Sequence, residues 1–258
     1  MKEQIRIFFT ALMFYSRIPC PKWVDHSEEY LNKATRFFPL IGWIVGAFSL
    51  FFLCMFLLID EVAVGIVFSM IASVWITGAF HEDGFADVCD GFGGGWTKAK
   101  ILEIMKDSRV GAYGLIGMVL LLLLKFLLLY RLLENQSSWL LIAAIIISGH
   151  SLSRFIAATM IFTHDYARED AKSKVKPVSK NVSWVELTFA AFFGLLPLAL
   201  FQDYKILLVV VPMYISKWLL GRYYQKWIEG YTGDCLGATQ QVTEVVFYLS
   251  LVVLWKFI

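Results

Sequence analysis

Residues 61–95 read EVAVGIVFSMIASVWITGAFHEDGFADVCDGFGGG. The first twenty positions are nearly all apolar, and the next ten carry Glu82, Asp83, Asp87 and Asp90. About twenty apolar residues are what an α-helix needs to cross the ~30 Å hydrocarbon core of a bilayer. A carboxylate at or near that core is costly unless it is paired, hydrated or bound to a cation. The stretch therefore predicts a membrane protein, and it asks what four acids are doing at the end of a span. A divalent metal ion is the simplest chemical answer.

Composition agrees with the first point. The chain has 258 residues, 59% of them hydrophobic and only 17% charged, and its mean hydropathy is +0.66. Soluble domains carry about 25% charged residues. The apolar residues come in blocks, and seven spans can be drawn at about 37–59, 61–80, 111–133, 138–162, 182–201, 204–221 and 242–258. Only Gln202 and Asp203 separate the fifth and sixth, which predicts a tight helical hairpin. The opening MKEQIRIFFTALMFYSRIPCP lacks a small-residue cleavage site and reads as an amphipathic or re-entrant segment. The predicted fold is all-α: one membrane-embedded domain over 1–258 with about seven transmembrane helices. Cys20, Cys54, Cys89 and Cys235 form no metal-spaced pair and are expected to be free thiols.

Charge placement supports seven spans. Basic residues crowd the segment before the first span (Lys2, Arg6, Arg17, Lys22, Lys33, Arg36), the 81–110 loop, the 163–181 loop and the 222–241 loop. With seven spans all four segments fall on one face. The opposite turns, at 59–61, 134–138 and 202–205, carry only Lys205, with Arg131 and Lys256 near span ends. The positive-inside rule then places the N-terminus and the four long segments in the cytoplasm. This implies a multi-pass protein of the inner (cytoplasmic) membrane with its working face cytoplasmic. Membrane lipid is an expected partner and nucleic acid is not. Small residues such as Gly42, Gly46 and Ala47 suit helix packing within or between chains, which leaves a homo-oligomer open.

Asp83, Asp87 and Asp90 are spaced i, i+4, i+7, so a helix would line them along one stripe, with Glu82 one step round. The stripe reads as a direct continuation of the apolar helix. Mutual repulsion of the acids would be relieved by Mg²⁺ or Mn²⁺, hard cations that suit oxygen ligands and that often share their shell with substrate phosphates. A solvated loop with incidental acids is the plainer alternative. Gly91, Gly93, Gly94 and Gly95 would end the helix. Downstream, Lys106, Ser108 and Arg109 are phosphate-type donors beside Asp107, although a positive-inside anchor would also explain the two cations. Arg154 lies within a span, which makes it a functional candidate with an anionic partner, and His150 is one turn earlier on the same face. Lys125 and Lys217 also fall within spans, as pairing or snorkelling residues. The 230–244 loop, GYTGDCLGATQQVTE, is read as a glycine-rich turn containing Asp234. Such a turn fits either helix capping or a second polar ligand. An acidic stripe with convergent cations suits transfer of a phosphate-bearing group.

FHEDGFADVCDG (80–91) followed by EIMKDSRVGAYG (103–114) resembles the signature region of the cobalamin synthase (adenosylcobinamide-GDP ribazoletransferase) family. MFYSRIPCP (13–21), RFFPLIGWIVGA (36–47), HDYAR (164–168) and GYTGDCLGA (230–238) resemble the family's other elements, in order along most of the chain. The resemblance implies a Mg²⁺-using membrane enzyme of the phosphotransferase type. It would join adenosylcobinamide-GDP to α-ribazole, or to α-ribazole 5′-phosphate. GMP would be released and adenosylcobalamin, or its phosphate, would form in the final nucleotide-loop assembly step of cobalamin biosynthesis. By motif position it implies metal candidates at Asp83, Asp87, Asp90 and Glu82. Lys106, Asp107, Ser108 and Arg109 would flank the diphosphate, and Arg168 and Asp234 would contact substrate. Asp90, Arg109 and Arg154 are the expected catalytic groups, with Asp90 as base or second metal ligand and the arginines on the leaving GMP. The resemblance departs at Glu82, where the family motif carries leucine, so Glu82 carries less of the metal assignment than the three aspartates. A CDP-alcohol phosphatidyltransferase also has an acidic helical stripe, but its Ala-Arg pair is replaced here by Asp87 and Val88. A cation transporter would spread polar residues over several spans, and a scaffold for neighbouring enzymes is compatible with catalysis.

Overall fold

The computed structural model describes residues 2–24, 27–167 and 183–257, and the described residues are helical with short connections. Arg168 and the lysines of 172–180 lie outside the described residues. An N-terminal helix α1 (Lys2–Tyr15) lies along the bundle with Ile7, Ala11, Leu12 and Tyr15 buried and its charged start exposed, as an amphipathic segment requires. A short α2 (Glu28–Ala34), capped by Ser27, leads through a 3-10 turn into α3 (Phe38–Leu57). Next come α4 (Val62–Thr77), α5 (Phe80–Gly94), α6 (Lys98–Ile104), α7 (Ala112–Leu133) and α8 (Trp139–Thr163). The chain closes with α9 (Trp184–Leu195), α10 (Val210–Ile228) and α11 (Gly233–Phe257).

Among the described residues six helical stretches are long and apolar enough to span a membrane, and α4 with α5 passes the same test as a bent pair. Counting that pair once makes seven spans. The hairpin between the fifth and sixth spans is as tight as its two-residue linker demands. Gln202 takes a left-handed conformation (φ 57°) and the Asp203 carboxylate accepts a hydrogen bond from the Lys205 N–H. None of the four cysteines is in a disulfide, as expected.

Two expectations need correction. The acidic stripe does not continue the apolar helix: α4 and α5 meet at a bend of 90°. Gly78 and Ala79 both adopt left-handed backbone (φ 67° and 59°), which no α-helix tolerates in succession. Arg17 fills the inside of this corner. Its N–H donates to the Ile76 carbonyl (2.7 Å), and its side chain occupies the space a Cβ on Gly78 would need. Similarly, 230–244 is not a glycine-rich loop. Only the turn at 229–232 is non-helical, and α11 starts at Gly233 with the Thr232 hydroxyl accepting from the Cys235 N–H (3.3 Å). Gly237 continues that helix because it packs against the backbone of His81, where a side chain would be crowded.

The consequence is a polar core that spans four helices. Glu244 on α11 is 1% exposed and pairs with Lys125 of α7 (2.6 Å), which is 3% exposed. His150 Nδ1 of α8 stands 3.4 Å from the same carboxylate, and the Tyr248 hydroxyl donates to it at 3.3 Å. Gln240 Nε2 donates to the other Glu244 oxygen (2.7 Å) and to Ser153 Oγ (3.0 Å). Gln241 Nε2 donates to Gln240 Oε1 (3.0 Å) and to Glu82 Oε1 of α5 (2.9 Å). Beside them Arg154, 2% exposed, donates to the His150 carbonyl (2.8 Å) and lies over the Phe38 ring. Apolar side chains of α3, α7, α8 and α11 enclose this core. Removing one partner of a buried ion pair leaves the other charged and desolvated. Lys125→Met should therefore lower folding stability by about 3–5 kcal/mol, read as a lower thermal midpoint in detergent. An unchanged midpoint would show that Glu244 is held by other means.

Candidate active site

Where α5 leaves the corner at Ala79, its register divides the acids between two surroundings. Consecutive residues on a helix are about 100° apart round the axis. Asp83 is exposed and Asp87 half-buried, whereas Glu82 turns inward to Gln241 and is 9% exposed. The outward pair stands at i, i+4 on one face. The start of α11 packs on α5 at Gly84. A Cβ on Gly84 would meet the Asp234 carbonyl oxygen at 2.9 Å and its Cα at 3.0 Å, so the two backbones touch only because residue 84 has no side chain. This seats the half-buried Asp234, whose carboxylate accepts from the Thr232 hydroxyl (3.3 Å), on α5 beside Gly84, the residue after Asp83.

Asp90, one turn further along, is differently employed. Its two carboxylate oxygens accept the backbone N–H groups of Gly111 (2.7 Å) and Gly114 (2.8 Å). Those are two of the N–H groups that the start of an α-helix leaves without intrahelical partners. Gly111 occupies the N-cap of α7 and has no side chain to satisfy them, so Asp90 caps that helix from a neighbouring one and its charge meets the positive end of the helix dipole. A Cβ on Gly114 would strike the Asp90 carboxylate and come within 3.0 Å of the Ala86 carbonyl oxygen.

Asp90 also lines a cavity of about 530 Å³ together with Lys100, Glu103, Asp107, Arg109 and Tyr113. Three sequence-predicted groups, Asp90, Asp107 and Arg109, thus share one cavity. Arg109 Nη2 pairs with Asp107 Oδ2 at 2.6 Å, and Arg109 Nε donates to Asp107 Oδ1 at 3.0 Å. These hydrogen bonds hold the Asp107 carboxyl at about 2, below its ordinary value. Lys106 and Ser108 are exposed beside them. Arg154 is not brought to this cavity. It belongs to the buried core with Glu82 and Glu244, so the predicted arginines stand in separate environments.

Among the described residues no group of three or more His, Cys, Asp or Glu side chains is arranged to hold a metal ion. The three aspartates predicted as one ligand stripe divide into an outward pair and a cap. Two carboxylates on one outward face nevertheless fit magnesium, which is ordinarily held by one or two carboxylates and completes its shell with water and substrate phosphates.

Sequence reading missed Gln240, Gln241 and Glu244, which form the buried core. The signal was there: Gln240, Glu244 and Tyr248 recur every four residues, one helical face. Placing the span's start at Val242 hid it.

The fold and this face define a polytopic membrane protein with a carboxylate-rich, phosphate-compatible site at the end of its bundle. The chain belongs to the cobalamin-5-phosphate synthase (CobS) family, whose model matches residues 7–252. Its relatives include a protein of Shewanella amazonensis, 46% identical over 259 residues, covering 99% of this chain and 98% of the relative. One from Leptospira interrogans is 44% identical over 265 residues (99% and 98%). Another, from Ralstonia pickettii, is 42% identical over 252 residues (97% and 96%). All three are named adenosylcobinamide-GDP ribazoletransferase. No solved structure matches the chain.

The Asp107–Arg109 pair makes a pH prediction. Asp107's carboxyl is lowered by Arg109, so it stays ionised down to about pH 2, and the pair is lost only as pH falls through that value. Arg109→Gln should raise the titration of Asp107 toward the ordinary aspartate value of about 3.9. The carboxyl ¹³C shift of labelled aspartate reads this. A midpoint that stays put would assign the lowering to another group.

Proposed function

We propose that this membrane transferase joins adenosylcobinamide-GDP to α-ribazole or its 5′-phosphate, releasing GMP, at the face formed by α5, the 105–111 segment and the start of α11. That face is cytoplasmic and the membrane the inner one, by the distribution of Lys and Arg. The observation that carries the reading is the pairing of outward Asp83 and Asp87 with the Asp90–Asp107–Arg109 cavity next to them. Family membership supplies the substrates, because the relatives are named for this transfer.

The reaction is a displacement at phosphorus. A ribose hydroxyl oxygen of ribazole forms a bond to the phosphorus that carries the corrinoid. The bond from that phosphorus to the bridging oxygen breaks, and GMP leaves with that oxygen. A magnesium ion bound here supplies neutralisation of the diphosphate charge. Asp83 and Asp87 are the residues that would hold it. Lys106, Ser108 and Arg109 grip the diphosphate, and Arg109 balances the negative charge that grows on departing GMP. Asp90, oriented by two backbone N–H groups at the cavity wall, keeps a free lone pair on each oxygen and accepts the hydroxyl proton. Arg154 is given no part in the step, since its guanidinium is enclosed beneath Phe38.

The test is GMP release by the full chain in nanodiscs from adenosylcobinamide-GDP with α-ribazole or its 5′-phosphate. GMP should form, chelator should abolish it, and Asp87→Ala or Arg109→Ala should slow it by roughly 10²-fold or more. CDP-diacylglycerol should be inert. Full activity in chelator or in Asp87→Ala contradicts the metal assignment, and CMP release from CDP-diacylglycerol contradicts the substrate assignment.

A further inference from the structure

The right-angled corner at Gly78 and Ala79 separates α5 from the span that precedes it, so the inward face of α4 does not run on into α5. Rotation matters here more than position. Glu82 and Asp83 are neighbours in sequence about 100° apart round the helix, and a turn of that size would bury Asp83 and expose Glu82. Something from outside the helix has to choose between them.

We propose that Gln241 of α11 makes this choice through Glu82, so that both are positioning residues for the outward face carrying Asp83 and Asp87. The idea rests on the metal-holding reading of that face and deepens it. Gln241 Nε2 donates to Glu82 Oε1 at 2.9 Å, and Gln241 is 2% exposed. The same nitrogen donates to Gln240 Oε1, and Gln240 is fixed by Ser153 on α8 and by Glu244. Glu244 is in turn locked to Lys125 on α7. A side chain gripped at the end of such a chain has one available place. A buried carboxylate that loses its donor pays desolvation without return, so α5 is held at the rotation where Glu82 reaches Gln241. At that rotation Gly84 touches the backbone of Asp234, and Cys89 packs against α7 at Gly117, where a Cβ would lie 2.8 Å from Cys89 Sγ. Glu82 faces the bundle interior, away from the exposed Asp83. Its carboxylate therefore sets the site without ligating in it, although it stands in the same sequence run.

Two substitutions separate positioning from ligation. Gln241→Met keeps volume and removes the donor. Glu82→Gln removes the charge but keeps an acceptor for Gln241. Two readouts apply to each variant of the full chain in nanodiscs: the Mn²⁺ dissociation constant by electron paramagnetic resonance with adenosylcobinamide-GDP present and ribazole omitted, and the alkylation rate of Cys89 by peptide mapping. Positioning predicts that Gln241→Met weakens Mn²⁺ binding about tenfold or more, as outer-shell losses do, while Glu82→Gln stays within about twofold of the native protein. Cys89 should alkylate several-fold faster in Gln241→Met and at the native rate in Glu82→Gln. The idea is overturned if Glu82→Gln loses Mn²⁺ affinity while Gln241→Met keeps it, which would make Glu82 a ligand. It is equally overturned if Gln241→Met leaves the Cys89 rate unchanged. Should Gln241→Met not fold, Glu82→Gln alone decides between ligand and positioning residue. Alkylation of Cys89 involves no metal, so a native protein that binds no Mn²⁺ refutes the metal-holding reading while the seating of α5 is still judged.

Discussion

The hydrogen bond from Gln241 to Glu82 joins a helix that has been cut loose from its own span to the body of the bundle. That contact, with the bare-backbone approach of Gly84 to Asp234 beside it, seats the first half of α5, as the hydrogen bonds from Gly111 and Gly114 to Asp90 seat the second. Seated so, the acids of one short helix are sorted by rotation alone. One goes inward to α11, two go outward, and the last caps α7. The other features of the site follow from that sorting: the outward carboxylate pair, the fixed start of α7 and the cavity beside that start.

The polar core around Glu244 brings acids and cations together. Glu82 and Glu244 share the interior with Lys125 and Arg154, two acids with two cations, on α5, α11, α7 and α8. Each would be expensive alone in a low-dielectric interior, and breaking a buried pair costs more than forming it gains. Such an arrangement is poor evidence for extra stability. It is a strong constraint on geometry, because a hydrogen-bonded ionic network accepts few alternative packings. A membrane enzyme needs that kind of constraint where its spans are otherwise held by apolar contacts that tolerate sliding.

Much of this was legible in the sequence. Length and hydropathy located the spans, and the two-residue linker at Gln202 and Asp203 foretold the hairpin, because these depend on local composition. The corner at Gly78 and Ala79 was hidden because alanine gives no sign of left-handed backbone; the side chain of Arg17, sixty residues earlier, is what fills the bend. The helical start of α11 was hidden by its glycines: Gly230 belongs to the turn (φ 156°), but Gly233 already opens the helix and Gly237 continues it against His81 of α5. Which faces of α5 are wet and which dry could not be read from an i, i+4, i+7 pattern, since the pattern is indifferent to the partner that fixes rotation. For the same reason Asp90 looked like a third ligand on the stripe, and its use by the N–H groups of Gly111 and Gly114 is a tertiary fact.

The central claim is that two outward carboxylates make an incomplete metal site which the substrate diphosphate completes. A titration of Mn²⁺ into the protein, followed by electron paramagnetic resonance with and without adenosylcobinamide-GDP, measures this directly. The account predicts weak binding to the protein alone and binding tighter by about tenfold or more with the diphosphate present, because magnesium-type sites of one or two carboxylates draw remaining ligands from substrate phosphates. Equal affinity in the two titrations would contradict it.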